Sequence, residues 1–188
     1  MPLSLEDIER LFAERGACQY AGEPVTQLQH ALQTAWLAEQ DGANDELVTA
    51  CLLHDMGHML NEQGETPSLR GVDDVHQYFA LPFLRDLFPA RVLMPVKLHV
   101  DAKRYLCKIR PAYWAALSED SKRSLRLQGG IHSEVECQAF IAQAGAADAV
   151  ALRQWDDAAK QPSLLTPPLG HFLARAERCV ISPAAGTR

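Results

Sequence analysis

Apolar residues recur along this chain at the three-and-four spacing of an amphipathic helix, and they show no convincing two-residue alternation of a half-buried strand. Leu5, Ile8, Leu11 and Phe12 share one face of a first segment, opened by a Ser4/Asp7 capping box and ended near Gly16. A second box, Thr26 with Gln29, opens a segment through Leu28, Ala31, Leu32, Ala35 and Trp36 that stops at Gly42. Asn44 caps the next, whose apolar run continues as one helix through His54 and Asp55. A polar stretch with Gly and Pro, 61–71, precedes a helix expected near 73–87, where Pro82 is set to kink or split it. Pro89 starts another helix near 90–106, with Pro95 a similar fault. Pro111 and Ser118 punctuate the segment up to Gly129 and Gly130. Ser133 and Glu136 form a third box, and helices near 134–144, 147–160 and 168–180 complete the set. The pattern predicts an all-α fold, a single compact helical bundle over 1–181 with a frayed tail at 182–188.

Composition narrows the function classes. A chain of 188 residues is one domain by size, and 47% apolar with 22% charged residues is ordinary for a soluble globular protein. A formal charge of −6 argues against a nucleic-acid or anionic-membrane partner. No run approaches the ~18 uncharged apolar residues of a membrane span. Glu6, Asp7 and Glu9 stand where a secretory signal would be basic and then apolar. The five cysteines are odd in number and form no C-x-x-C pair, which reads as reduced thiols in a cytoplasmic protein.

The pattern breaks its own rule at one place. His54 and Asp55 interrupt the apolar run from Ala50 to Leu60. A buried carboxylate beside an imidazole asks for a counter-charge, and a metal ion supplies one. His30, His76, His99 and Asp156 are further candidate ligands. Six ligands exceed the needs of one tetrahedral ion and suit two octahedral ions sharing a bridge. Helical spacing adds companions: His58 one turn from His54 and pointing the same way, Lys103 one turn from His99, and Arg153 three residues before Asp156. His132 and His171 have no partner at useful spacing and read as surface residues, and Lys122, Arg123 and Arg126 read as a solvated face.

The order His30, His54, Asp55, His76, His99, Asp156 resembles the HD-domain superfamily of helical metalloproteins. His30, His54, Asp55 and Asp156 match its four-ligand motif, and His76 and His99 the added pair of its dinuclear members. Most of that superfamily are phosphohydrolases, in which a metal-bound water attacks phosphorus. A smaller branch are mixed-valent diiron oxygenases. Tyr20, Ala21, Gly22 and Glu23 with Gln27 and Leu28, the run 99–106, the run 127–130 and the run 152–156 are similar to the 2-amino-1-hydroxyethylphosphonate dioxygenase (glycine-forming) family, over roughly residues 10–160.

The resemblance implies an Fe(II)/Fe(III) pair with O2 as co-substrate: His30, His54 and Asp156 on one iron, His76 and His99 on the other, Asp55 bridging. It further implies that Tyr20 caps an iron until substrate arrives and that Glu23 holds a cationic nitrogen. Lys103, Arg153 and His58 would neutralise a phosphonate, with Ser121 and Gln128 as further substrate contacts. The implied reaction breaks the C–P bond of a 1-hydroxy-2-aminoethylphosphonate, or its trimethylammonio form, to phosphate plus glycine or glycine betaine. The alternative is a dinuclear phosphohydrolase acting on a nucleotide or phosphate ester, which has no use for a displaceable tyrosine. A metal-sensing module is the non-enzymatic option. Which amine is preferred stays open; Trp36, Tyr78, Phe79 and Tyr105 are the aromatic faces available to a quaternary ammonium. The oligomeric state stays open as well.

Overall fold

The segment from Val48 to Leu53 is buried on every side, so it can be satisfied only at the centre of the molecule. The computed structural model describes residues 2–20, 22–61 and 67–181. In chain order its helices are α1 (Leu5–Arg15), α2 (Gln27–Gln40), α3 (Asp45–Leu53), α4 (Met56–Leu60), α5 (His76–Phe79) and α6 (Leu81–Leu84). There follow α7 (Ala90–Ile109), α8 (Pro111–Ala116), α9 (Glu119–Leu127), α10 (Glu134–Ile141), α11 (Ala146–Ala158) and α12 (Leu169–Arg178), with a 3-10 turn at Pro67–Arg70. The fold is all-α, as the patterning predicts; among the described residues the only strand-like pairing is an isolated bridge between Gln19 and Thr26. No described helix is long and apolar enough to cross a membrane.

Helix α3 packs against α2, α7 and α12, while α11 lies along α7 and reaches α2. Their apolar faces meet in one core containing Leu52, Leu53, Phe88, Val96, Leu152 and Phe172. All three capping boxes form, at Ser4, Thr26 and Ser133, and Asn44 and Ser118 cap α3 and α9. Each satisfies backbone donors that a helix start otherwise leaves bare.

Four readings need correction. The helix expected to run through His54 and Asp55 is broken there: α3 ends at Leu53, Asp55 sits at φ −104° and ψ 11°, and α4 starts at Met56. His54 therefore lies in the break and His58 in α4, not one turn apart on one helix, yet both rings approach Asp55, at 3.3 and 3.8 Å. The helix expected from 73 begins only at His76, because Asp73 and Asp74 side chains take the backbone N–H groups of Val75 and His76. It is then divided at Ala80, and Pro82 falls in the first turn of α6, where its missing N–H costs nothing. Pro95 neither ends nor splits α7, which continues to Ile109. Finally, His132 is buried: its backbone N–H reaches the Arg104 carbonyl, and its ring lies 3.5 Å from Asp101 and beside Phe140. The predicted tail at 182–188 lies outside the described residues.

Candidate metal centre

Five separate elements deliver six potential ligands to one buried spot: His30 from α2, His54 and Asp55 from the break after α3, His76 opening α5, His99 from α7 and Asp156 from α11. Two local devices aim the far pair. Gly57 lets α4 pass so near α5 that a β-carbon there would stand 2.1 Å from the His76 carbonyl oxygen. Val75, a β-branched residue, takes φ 46° immediately before His76, a strained left-handed turn of the kind that persists only where the surroundings enforce it.

The ligands fall into two groups. Donor atoms of His30, His54 and Asp156 lie within 4.8 Å of one another, as do those of Asp55, His76 and His99. Every imidazole has its Nδ1 committed to an acceptor: His30 to the Ala159 carbonyl (2.8 Å), His54 to that of Cys51 (2.8 Å), His99 to that of Val96 (2.7 Å) and His76 to Asp74 (2.9 Å). Those acceptors require the proton on Nδ1, so each neutral ring presents the bare lone pair of Nε2 inward. These Nε2 atoms face each other at 3.3 Å for His30 and His54 and at 3.0 Å for His76 and His99. A proton shared between two such nitrogens, or a metal ion between them, satisfies the pair, and outer hydrogen bonds of this type orient metal-binding histidines.

Asp55 lies between the groups. Its Oδ2 is 3.5 and 3.3 Å from the Nε2 atoms of His30 and His54, and its Oδ1 is 3.3 and 3.5 Å from those of His76 and His99. Asp55 Oδ2 and both Asp156 oxygens accept no aligned hydrogen bond from the described residues. Burial would raise both carboxyls, yet the imidazoles and Arg153 hold them well below the usual range. Burial likewise opposes charge on His30, but Asp156 and Asp55 push it up to about 9. Nitrogen and oxygen donors without a thiolate, around an anionic pivot, fit metal ions that the two groups would hold, with Asp55 within reach of both. A third group, His58, Asp74 and His76, is also close enough to hold an ion. With His76 Nδ1 donating to Asp74, it reads as support for the other two.

A cavity of about 330 Å³ opens onto this centre. Tyr20 roofs it, its ring stacked on His30 at 3.9 Å, while burial and the nearby Asp55 and Asp156 carboxylates hold its phenol well above its usual range. Glu23 also lines the cavity, but its carboxylate is already paired with Lys160 at 3.0 Å. On another wall Lys103 donates to Ser124 Oγ at 3.0 Å, and burial together with Arg153 pushes its ammonium down to about 7. Arg153 is held between Asp156, 2.7 Å away, and Asp157, which it shares with the Tyr113 hydroxyl. His58 meets Asp74 at 2.5 Å and stacks on His76. Ser121 and Gln128 line the cavity, and Gln128 Oε1 is buried without a donor among the described residues. Thus all thirteen residues expected at the site converge on the metal cluster or its cavity. Trp36, Tyr78, Phe79 and Tyr105 do not line it.

Sequence reasoning missed Asp74, Lys160, Ser124 and the pair Tyr113 and Asp157. Asp74 left a trace, two residues before His76. Lys160 lies four residues past Asp156, but α11 stops at Ala158, so helical spacing would not have placed it. Lys122, expected as solvated, pairs with Glu119, and Arg123 ties α9 to Ser68 of the 3-10 turn.

No family model matches this sequence. It is 38% identical over 176 residues to the [1-hydroxy-2-(trimethylamino)ethyl]phosphonate dioxygenase (glycine-betaine-forming) of Leisingera caerulea, covering 94% of this chain and 90% of that one. It is 42% identical over 159 residues to the hydroxymethylphosphonate dioxygenase of Gimesia maris, covering 84% and 79%. An uncharacterised protein of Acanthamoeba polyphaga mimivirus is 30% identical over 171 residues, covering 90% and 78%.

Proposed function

The chain belongs to the phosphonate dioxygenase family, and on that premise we propose that it is an oxygenase that uses O2 to break the carbon–phosphorus bond of a hydroxyalkylphosphonate. The observation that carries the reading is Tyr20, laid over the ligand cluster on His30 inside a cavity walled by cations. A hydrolase needs the metals and the cations but gains nothing from a phenol that must be displaced. The six nitrogen and oxygen donors support two iron ions, His30, His54 and Asp156 on one, His76 and His99 on the other, with Asp55 between. When bound, a mixed-valent iron pair supplies the O2 activation and one-electron oxidation that a C–P bond, lacking a good ionic leaving route, requires.

The chain's own residues do the rest. Lys103 and Arg153 receive the phosphonate oxygens, and cations in a closed site are strong hosts for such an anion. Asp157 and Tyr113 fix the guanidinium plane of Arg153, so its orientation is set before substrate arrives. Asp74 holds His58 and His76 on one carboxylate, keeping His58 at the phosphonate side and the His76 ring in register. Ser121 donates a hydroxyl, and Gln128 Oε1 offers the buried acceptor for a substrate O–H. Tyr20 leaves when its turn swings: Glu23 N–H bonds the Tyr20 carbonyl around Gly22, whose φ of 75° allows the bend. The five cysteines are all unpaired, which supports a reducing, cytoplasmic setting.

The test is an oxygen electrode beside a phosphate assay on iron-loaded protein. The reading requires one O2 consumed per phosphate released from a hydroxyalkylphosphonate, and no phosphate under argon. Phosphate freed from a phosphate ester at equal rate without O2 would overturn it.

A further inference from the structure

The two dioxygenase relatives act on substrates with different tails, one carrying a trimethylamino group and one with no nitrogen at all. The cavity contains one feature that discriminates between them. Glu23, the carboxylate that would meet a substrate ammonium, already meets the ammonium of Lys160 at 3.0 Å, with both side chains largely shielded from solvent. We propose that Lys160 is the specificity-determining residue of this site: it stands where a substrate nitrogen would, so the enzyme prefers hydroxyalkylphosphonates whose tail carries no cation. This inference rests on the oxygenase reading above.

Lys160 is not free to step aside cheaply, because the backbone on either side of it is pinned. The carbonyl of Ala159 accepts from His30 Nδ1 at 2.8 Å. Gln161 gives its N–H to Gln33 Oε1 at 3.0 Å and takes the Gln33 amide on its carbonyl at 2.7 Å, and Gln33 is itself buried. From that anchored base the Lys160 ammonium both pairs with Glu23 and lies 5.9 Å from the Tyr20 ring centre. The lysine therefore holds the turn that carries the lid. A cationic tail would have to compete with a tethered lysine whose local concentration is far higher than any free ligand's.

The aromatic lining points the same way. A quaternary ammonium is recognised by aromatic faces as much as by charge. Besides the imidazoles, Tyr20 is the only aromatic side chain among the described cavity residues, and it is already engaged by His30, stacked at 3.9 Å, and by the Lys160 ammonium, 5.9 Å from its centre. Among the described residues no aromatic cage is left for a trimethylammonio group. A short tail needs neither the carboxylate nor a cage, and it leaves the Lys160 pair intact.

The experiment compares hydroxymethylphosphonate with 1-hydroxy-2-(trimethylammonio)ethylphosphonate in iron-loaded wild type, Lys160→Met and Lys160→Arg. Turnover is measured in air and equilibrium binding without O2. Wild type should favour hydroxymethylphosphonate. Lys160→Met should shift the kcat/KM ratio toward the ammonium compound at least tenfold, mostly through KM, with a parallel shift in Kd. Lys160→Arg, which can keep the pair, should retain the wild-type order. A ratio that moves less than twofold in Lys160→Met, or a wild type that already prefers the ammonium compound, overturns the assignment of Lys160 while leaving the oxygenase reading standing. If wild type releases phosphate from neither compound with O2, the oxygenase reading falls and the inference with it.

Discussion

Asp55 is the residue on which the centre turns. One oxygen faces each imidazole pair, and among the described residues no other side chain is placed between the two pairs in this way. Asp55→Ala should therefore lose the two-ion centre rather than one ion of it, read as a metal content well below two per chain after iron loading. A variant that retains two ions would show the bridge to be dispensable. Lys103 carries a different expectation. Burial and Arg153 push it down to about 7, so raising the pH through that value removes its charge from the empty site. Phosphonate KM should rise with pH above about 7, by at most about tenfold per pH unit for a single proton. Lys103→Ala should weaken phosphonate binding by about 2–5 kcal/mol with the metals kept. A flat KM from pH 6 to 9 would remove Lys103 from the phosphonate wall. The six candidate ligands were legible in the sequence because residues of such chemistry among apolar neighbours have few reasons to be there. Arg153 was only half legible: its pairing with Asp156 follows from helix spacing, but the grip of Tyr113 on Asp157 crosses from α8 and leaves no local mark.

Among the elements, those that the sequence announced are those whose signals are local. A Ser, Thr or Asn three residues from its bonding partner predicts a helix start, and all such starts formed. The breaks were not legible, because their causes lie elsewhere in the chain. At the turn, the imidazoles of His30, His54, His76 and His99 surround the Asp55 carboxylate, and all but His54 lie more than twenty residues away in sequence. The same holds for the late start of α5, where Asp74 is drawn to His58 and His76. Gly57 makes this scale testable. Its missing β-carbon is what allows α4 and α5 to touch, with the His76 backbone in the way of any side chain. Gly57→Ala should push His76 out of register, so the ion held with His99 is lost first while that of His30, His54 and Asp156 persists. Metal titration should fall from two sites toward one; two sites of unchanged affinity would show that the segment shifts without cost.

At the scale of the whole molecule, an acidic protein encloses a site with buried cations, and its core helices converge on the metal ligands. α2, α7 and α11 each carry a candidate ligand, α3 leads into His54 and Asp55, and all four share the same apolar core, so ions bound there would couple four helices. Removing the ions leaves the surrounding imidazoles and Arg153 to balance Asp55 and Asp156 in the interior. Ligands that bind only the folded state stabilise it by about 2.7 kcal/mol at a hundredfold excess over Kd. In a chain of this size that amounts to a drop in Tm on the order of 5–10 °C on chelation. An unchanged Tm in metal-free protein would mean that the fold does not depend on the centre. What the protein does at this scale is decided most directly by the fate of oxygen atoms. Iron-loaded enzyme given hydroxymethylphosphonate under 18O2 should release phosphate together with a formate that carries the label, and should do neither under argon. Unlabelled formate, or phosphate that takes its new oxygen from H218O with no O2 consumed, would contradict the account and make the site a hydrolase.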